Sequence, residues 1–246
     1  MIIFDWGGTL VHTQREPAVF GPCARGAVDA LRAAGVPVDA AAADNLRRTF
    51  EETWRARNTI ACQEEFDPVG FFQDWAARER VALPERLDAV IDALWQPWVG
   101  CLEPLGDIVA TLERLAAQGI ALGLVSNCAT VPHVCHVEIA RQGIAPLLAF
   151  SLFSSELGVR KPHPRVYEVA LARAADAVDG NGSGGLAPGD VLFVGDTPSA
   201  DVAGPARAGM KTGLVRTGNW RGEVAELVHP PDLVVETVHE LPRVWG

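Results

Sequence analysis

An aspartate stands at position 5, directly after the apolar run Ile2-Ile3-Phe4, and Gly7-Gly8-Thr9 follow almost at once. Three more polar groups occupy comparable places: Ser126-Asn127 after the apolar run 120–125, Lys161 a few residues beyond the run 147–153, and Gly195-Asp196 after the run 191–194. Two acids, Asp5 and Asp196, suit a magnesium ion, which takes hard oxygen ligands and keeps waters beside a substrate phosphate. A free oxygen of Asp5 can then attack phosphorus and form an aspartyl-phosphate that water later opens. Ser126 and Lys161 would neutralise and orient the phosphoryl oxygens as charge redistributes. Lysine is scarce, only Lys161 and Lys211 against nineteen arginines, which makes a lysine in this set more informative than usual. Singly, each residue has a plainer role open to it: a helix-capping acid, a turn serine, a solvated lysine. Their common position after successive apolar runs is what favours the chemistry.

That chemistry requires the four runs to lie side by side. They are apolar on both faces and separated by amphipathic helical patterns, which predicts a parallel sheet covered on two sides. The runs 212–215 and 232–235 extend it. In such an open sheet, ligands sit outside the carboxyl ends of the strands, where all four polar groups would converge. The fold expected is therefore α/β, a Rossmann-like doubly wound parallel sheet. Between 17 and 100 the pattern changes to helical segments at 27–34, 41–57, 68–79 and 84–95, with no β-like run. This reads as an all-helical insertion after the first strand, dividing the chain into a core of 1–16 and 101–246 and an insertion of 17–100. Its Trp54, Trp75, Trp95 and Trp98 are expected to pack within it. The Gly-rich stretch 179–190 reads as a surface loop without phosphate-loop spacing.

The 246 residues carry a net charge of −10 and a pI near 5.0, which argues against a nucleic-acid partner. Five scattered cysteines (Cys23, Cys62, Cys101, Cys128 and Cys135) contain no CxxC pair, so neither a disulfide framework nor a zinc cluster is indicated. An acid already at position 5, with no charged leader, argues against a signal peptide. Nor does any run reach the roughly 18 apolar residues of a membrane span. A cytoplasmic protein with no membrane partner is expected; oligomeric state has no signature here.

The segments Asp5-Trp6-Gly7-Gly8-Thr9-Leu10, Val125-Ser126-Asn127, Gly158-Val159-Arg160-Lys161-Pro162-His163-Pro164 and Val194-Gly195-Asp196-Thr197-Pro198-Ser199-Ala200-Asp201 together resemble the four motifs of the haloacid dehalogenase-like hydrolases. The resemblance covers nearly the whole chain, and the helical insertion resembles the cap of that superfamily's first cap class. It implies Asp5 as nucleophile and metal ligand, Gly7 as a backbone-carbonyl ligand, and Asp196 as a further Mg²⁺ ligand supported by Asp201. It also implies Ser126, Asn127 and Lys161 as the phosphoryl-binding set, with a small phosphorylated metabolite as substrate. Thr9 would orient the nucleophile loop, and Gly8 would allow its tight turn.

Phosphatases of this kind usually carry a second aspartate two residues after the nucleophile, to protonate the leaving alkoxide. Here that position is Gly7. General acid–base help is worth about 10²–10⁴-fold, so its loss should fall on poor leaving groups rather than on phenolates or acyl phosphates. Three relatives lack the second acid. The 2-haloacid dehalogenases also lack the metal-binding acid that this chain keeps at Asp196. Phosphonoacetaldehyde hydrolases need a cap lysine, and residues 17–100 contain none. P-type ATPases are far larger and membrane-bound. A substitute acid from His12, Glu64, Glu65 or Asp67, or a weakened phospho-ligand-binding or regulatory role, are the remaining ways to accommodate Gly7. His133 and His136 have metal-like spacing without a matching third ligand, and read as helix-surface residues. His163 reads as shaping the Lys161 turn, and Arg160 as a solvated arginine. Arg55 and Arg57 stay open as anion contacts.

Overall fold

Successive residues of the apolar runs point to opposite faces of one sheet, and each face has its own core. Ile2, Phe4, Leu124 and Val194 pack on one side, Ile3, Val125 and Phe193 on the other. The computed structural model describes residues 1–13, 16–57, 59, 61–179, 185–216, 222, 224 and 227–245. In chain order these include β1 (Ile2–Phe4), β2 (Val11–Thr13), α1 (Glu16–Ala33), α2 (Ala40–Arg57), α3 (Pro68–Glu79), α4 (Asp88–Val99) and β3 (Leu102–Pro104). There follow α5 (Ile108–Ala117), β4 (Leu122–Ser126), α6 (Pro132–Arg141), β5 (Phe150–Phe153), α7 (Pro164–Asp179) and β6 (Leu192–Gly195). The chain ends with α8 (Gly204–Arg207), β7 (Lys211–Val215), β8 (Leu233–Val235) and α9 (Leu241–Val244). Among the described residues, six strands form one sheet in the order β5-β4-β1-β6-β7-β8, with every neighbouring pair parallel. The α/β, Rossmann-like doubly wound architecture read from the sequence is the observed one.

Four details differ from the sequence reading, the first being that the helix expected at 84–95 is α4, Asp88–Val99, which runs on through Pro97. The run 147–153 forms a strand only over β5, because residues 145–147, with Pro146 inside them, make a 3₁₀ turn first. Helix α1 starts at Glu16 rather than 27, running through Gly21, Pro22 and Gly26, which read locally as breakers. Gly26 lies where α4 crosses, and a Cβ there would run into the carbonyl oxygen of Ala93, so close helix packing outweighs poor propensity. Finally, β2 and β3 form a small antiparallel pair that joins residues about ninety positions apart (His12 opposite Glu103). Two three-residue strands have too little periodicity to be seen locally.

Helices α1–α4 enclose a core of their own. Phe50 packs edge-on against Phe20, Phe71 and Trp95, and Trp75 and Trp95 are fully buried. Residues 180–184 of the Gly-rich stretch 179–190 lie outside the described residues; its end, Pro188–Asp190, is a 3₁₀ turn. Among the described residues, no helix is long and apolar enough to cross a membrane.

Candidate active site

Strand order reverses at β1, whose neighbours β4 and β6 lie on opposite sides, and the crevice of such a sheet opens at that point. Phe4 pairs with Leu124 on one side and Val194 on the other, so the residues just beyond these pairs emerge together. The Asp5 amide still donates to the Val194 carbonyl at 2.8 Å, which holds Asp5 in line with the strand. Asp5, Asp196 and Asp201 each offer a carboxylate oxygen within 4.8 Å of the others, and all three are buried. Gly8 has φ +82°, and a Cβ there would overlap the Asp196 carboxylate. Only glycine lets the turn after Asp5 approach that acid so closely.

Lys161 donates through Nζ to Asp5 Oδ1 at 2.9 Å and to Asp201 Oδ1 at 2.7 Å, with the ammonium also 5.0 Å from the centre of the Phe193 ring. Asp201 reaches the site from a π-helical turn, Pro198–Ala203, a widened turn of a kind often found at functional sites. Its other oxygen accepts from the Thr197 amide at 2.9 Å, while the Thr197 hydroxyl donates to Asp196 at 3.2 Å. Burial pushes the Asp5 carboxyl up to about 7; the Lys161 ammonium opposes this, and the neighbouring Asp201 and Asp196 charges reinforce it. Burial alone would lower Lys161, but the Asp201 and Asp5 carboxylates outweigh it and raise its pKa.

Asn127 has a different task from the one expected of its side chain. Its Nδ2 donates to the Lys161 carbonyl at 2.9 Å, and its Oδ1 accepts from the Lys161 amide at 2.7 Å. The amide thus clamps the lysine's backbone, and contact with a phosphoryl group would have to come from the main chain of Asn127. Ser126 is buried and lines the same cavity as Asp5, Gly7, Lys161 and Asp196. The Thr9 hydroxyl is buried with no partner among the described residues, so it does not hold the loop by a side-chain hydrogen bond.

The cavity measures about 760 Å³ and runs between the sheet edge and the helical insertion. His12 lines it from β2, whose Val11 pairs with Gly7. Trp54 and Trp98, with ring centres 4.6 Å apart, also line it, whereas Trp75 and Trp95 lie wholly in the insertion's core. The wall position of Trp54 and Trp98 has no local signal, since all four tryptophans sit in similar amphipathic surroundings.

The other candidate acids are occupied elsewhere. Glu64 is exposed, 4.0 Å from Arg57, and Asp67 caps α3 by accepting from the Val69 amide. Glu65 is buried, accepts the Ser154 hydroxyl, and lies 3.8 Å from Arg160. Arg160 is therefore buried and ion-paired rather than solvated. The Glu65 amide donates to the Gly158 carbonyl at 3.0 Å and the Arg160 amide to the Gln63 carbonyl at 2.9 Å, tying the insertion to the turn before Lys161. Arg55 pairs with Glu51, and Arg57 donates to the Glu65 carbonyl. His133 pairs with Asp92 of α4 at 2.9 Å, His136 meets Ser151 and Phe153, and His163 accepts from the Arg165 amide.

The three clustered acids form a hard-oxygen donor set of the type magnesium takes, and among the described residues no histidine or cysteine joins them to favour a softer metal. The haloacid dehalogenase-like hydrolase family model matches residues 1–209, and the chain belongs to that family. It is 28% identical over 159 residues to a glyceraldehyde 3-phosphate phosphatase of Methanopyrus kandleri, covering 64% of this chain and 63% of the relative. It is 33% identical over 132 residues to a phosphoserine phosphatase of Thermus thermophilus, covering 54% of this chain and 47% of the relative. The aligned part thus spans between about half and two thirds of these relatives' lengths. A haloacid dehalogenase-like phosphatase from Thermococcus onnurineus shares the fold with TM-score 0.64 and 22% identity, covering 100% of this chain and 97% of that one.

Proposed function

We propose that this chain is a Mg²⁺-dependent phosphohydrolase for a small phosphorylated metabolite, with Asp5 as covalent nucleophile. The observation that carries the reading is the buried cluster of Asp5, Asp196 and Asp201 with Lys161 bridging Asp5 and Asp201 at the sheet's switch point. Phosphatase relatives across the matched region support it. In this reading Asp5, Asp196 and the Gly7 carbonyl hold Mg²⁺, and Asp201 supports it. When bound, the ion supplies charge neutralisation for the phosphoryl oxygens and favours the ionised form of Asp5. Lys161, fixed by Asn127 and Asp201, and Ser126 take the remaining phosphoryl charge. Asp5 attacks phosphorus, the leaving oxygen departs, and water then hydrolyses the aspartyl-phosphate, regenerating the carboxylate. Residues 17–100 act as a cap over the core of 1–16 and 101–246, excluding water from the cavity, in a cytoplasmic setting. The acid pair Asp196 and Asp201 supports this over dehalogenation. Gly7 favours a second reading, a phospho-ligand binder with weak turnover.

The deciding experiment is Mg²⁺-dependent hydrolysis of phosphoesters whose leaving groups run from phenolates to alkoxides. Hydrolysis that requires Mg²⁺ and Asp5 supports the enzyme. Tight phosphate-ester binding without hydrolysis of any member supports the binder.

His12 is the one of the four candidate acids that lines the cavity, and we assign it the missing proton delivery. His12→Ala is expected to slow alkoxide substrates by about 10²-fold and to leave phenolates within about twofold. Equal slowing of both groups would remove His12 from that role.

Metal binding should follow the Asp5 proton. Its carboxyl is raised to about 7 in the metal-free fold, so protons compete with Mg²⁺ below that pH and affinity climbs as pH rises through it. At 100 times its dissociation constant, the ion stabilises the fold by about 2.7 kcal/mol. Thermal unfolding with fixed Mg²⁺ should therefore show a larger increase in Tm at pH 8 than at pH 6. A pH-independent increase, or one retained in Asp196→Asn, rules out this site as the locus.

A further inference from the structure

Two of the five cysteines meet beside the cavity. Cys128 follows Ser126-Asn127 directly and lines the cavity, and its Sγ lies 2.9 Å from the Sγ of Cys135, buried in the second turn of α6. Both are free thiols. A disulfide has its sulfurs about 2.05 Å apart, so bond formation needs an approach of roughly 0.9 Å from this separation. We propose that Cys128 and Cys135 are a redox modification site, closed to a disulfide by hydrogen peroxide that enters the cavity and reopened by dithiols.

The arrangement gives the two sulfurs different parts. Cys128 is reached from the cavity, and the hydrogen bond from Cys135, outweighing burial, lowers its pKa and favours the reactive thiolate. Cys135, buried and held by that same bond, is raised and serves as the resolving thiol. The Cys128 thiolate attacks one peroxide oxygen, the O–O bond breaks, and a sulfenic acid forms as hydroxide leaves and is protonated to water. Cys135 then attacks the Cys128 sulfur, its proton goes to the departing hydroxide, and a second water leaves. Two thiols lose two electrons to one peroxide, giving one disulfide and two waters. By contrast Cys23, deep in the insertion, has its thiol pushed up to about 12 by burial, which suppresses its thiolate.

The position makes closure consequential. The Cys128 amide donates to Ser154 Oγ at 2.8 Å, and Ser154 in turn donates to Glu65 of the insertion. One residue earlier, Asn127 clamps Lys161. Pulling Cys128 toward α6 therefore strains the turn that carries Ser126 and Asn127, and turnover should fall at least threefold until the bond is reduced.

The test is to expose the fully reduced chain to stoichiometric hydrogen peroxide, then measure intact mass and map peptides without reduction. The expected result is a loss of about 2 Da, a single Cys128–Cys135 cross-link, and full reversal by dithiothreitol. Cys135→Ser should instead trap a sulfenic acid on Cys128, labelled by dimedone, with no loss of mass through internal bonding. Wild-type protein that retains both thiols, or whose cross-link involves Cys23, Cys62 or Cys101, overturns the proposal, and that readout does not depend on any variant folding. The activity arm rests on the phosphohydrolase reading, whereas the mass arm does not. An inactive protein that still forms the cross-link would count against the phosphohydrolase alone, and an active one without it against the redox site alone.

Discussion

Asp5→Asn is expected to lower phosphoester turnover by on the order of 10⁴-fold or more for every leaving group, since no nucleophilic oxygen remains to form the covalent intermediate. The substitution is nearly isosteric, and the amide oxygen can still accept from Lys161 Nζ, now 2.9 Å from Asp5 Oδ1. Folding should therefore survive, and the loss should appear in kcat rather than in KM. The check is a rapid-quench experiment with a phosphoryl-labelled phenyl ester: wild type should carry acid-stable label on the peptide containing Asp5, and the variant none. A variant keeping more than about 1% of wild-type turnover would mean that water attacks phosphorus directly, and the covalent mechanism would fall.

The second large effect is a gain. Gly7 lines the cavity, and a Cβ built on it meets nothing within 4 Å. Its backbone is outside the left-handed region, so an L side chain is accepted there without strain. Gly7→Asp therefore has room for the carboxyl that phosphatases of this family usually carry at this position. In the His12→Ala background, where the assigned proton donor is gone, we expect Gly7→Asp to raise kcat on alkoxide leaving groups by about 10²-fold or more while phenolates change little, flattening the dependence on leaving-group pKa; with His12 in place the gain is much smaller. The informative comparison is with His12→Ala in the same series. An alkoxide rate unmoved by Gly7→Asp but lowered by His12→Ala would show that His12 already delivers the proton. A rate unmoved by both would mean that proton transfer does not limit turnover.

Much of this site is written at strand ends. An apolar run buried on both faces ends where its backbone meets solvent, and the polar residue placed there is exposed to the crevice whatever the helices around it do. Asp5, Ser126 and Asp196 are recognisable for that reason, and the alternation of strands with helical patterns implies the sheet that aligns them. Lys161 is marked by type and rarity rather than by periodicity, and it too reaches the cluster.

Partnerships between distant residues are different, because nothing local records them. That Asn127 clamps Lys161, that Glu65 is spent on Ser154 and Arg160, and that His12 rather than Glu64 or Asp67 faces the cavity all depend on segments brought together by the insertion. The β2–β3 pair that presents His12 joins positions about ninety residues apart, and α1 stays helical through Gly21, Pro22 and Gly26 because α4 packs against it. The same holds for Cys128 and Cys135: seven residues apart with no CxxC spacing, they meet only because the turn after β4 folds back onto the second turn of α6. Sequence thus determined the acids, the lysine and the sheet that carries them, through local burial and strand geometry. Tertiary packing decided which of these groups touch, because such contacts depend on distance in space, which the spacing of residues along a chain does not encode.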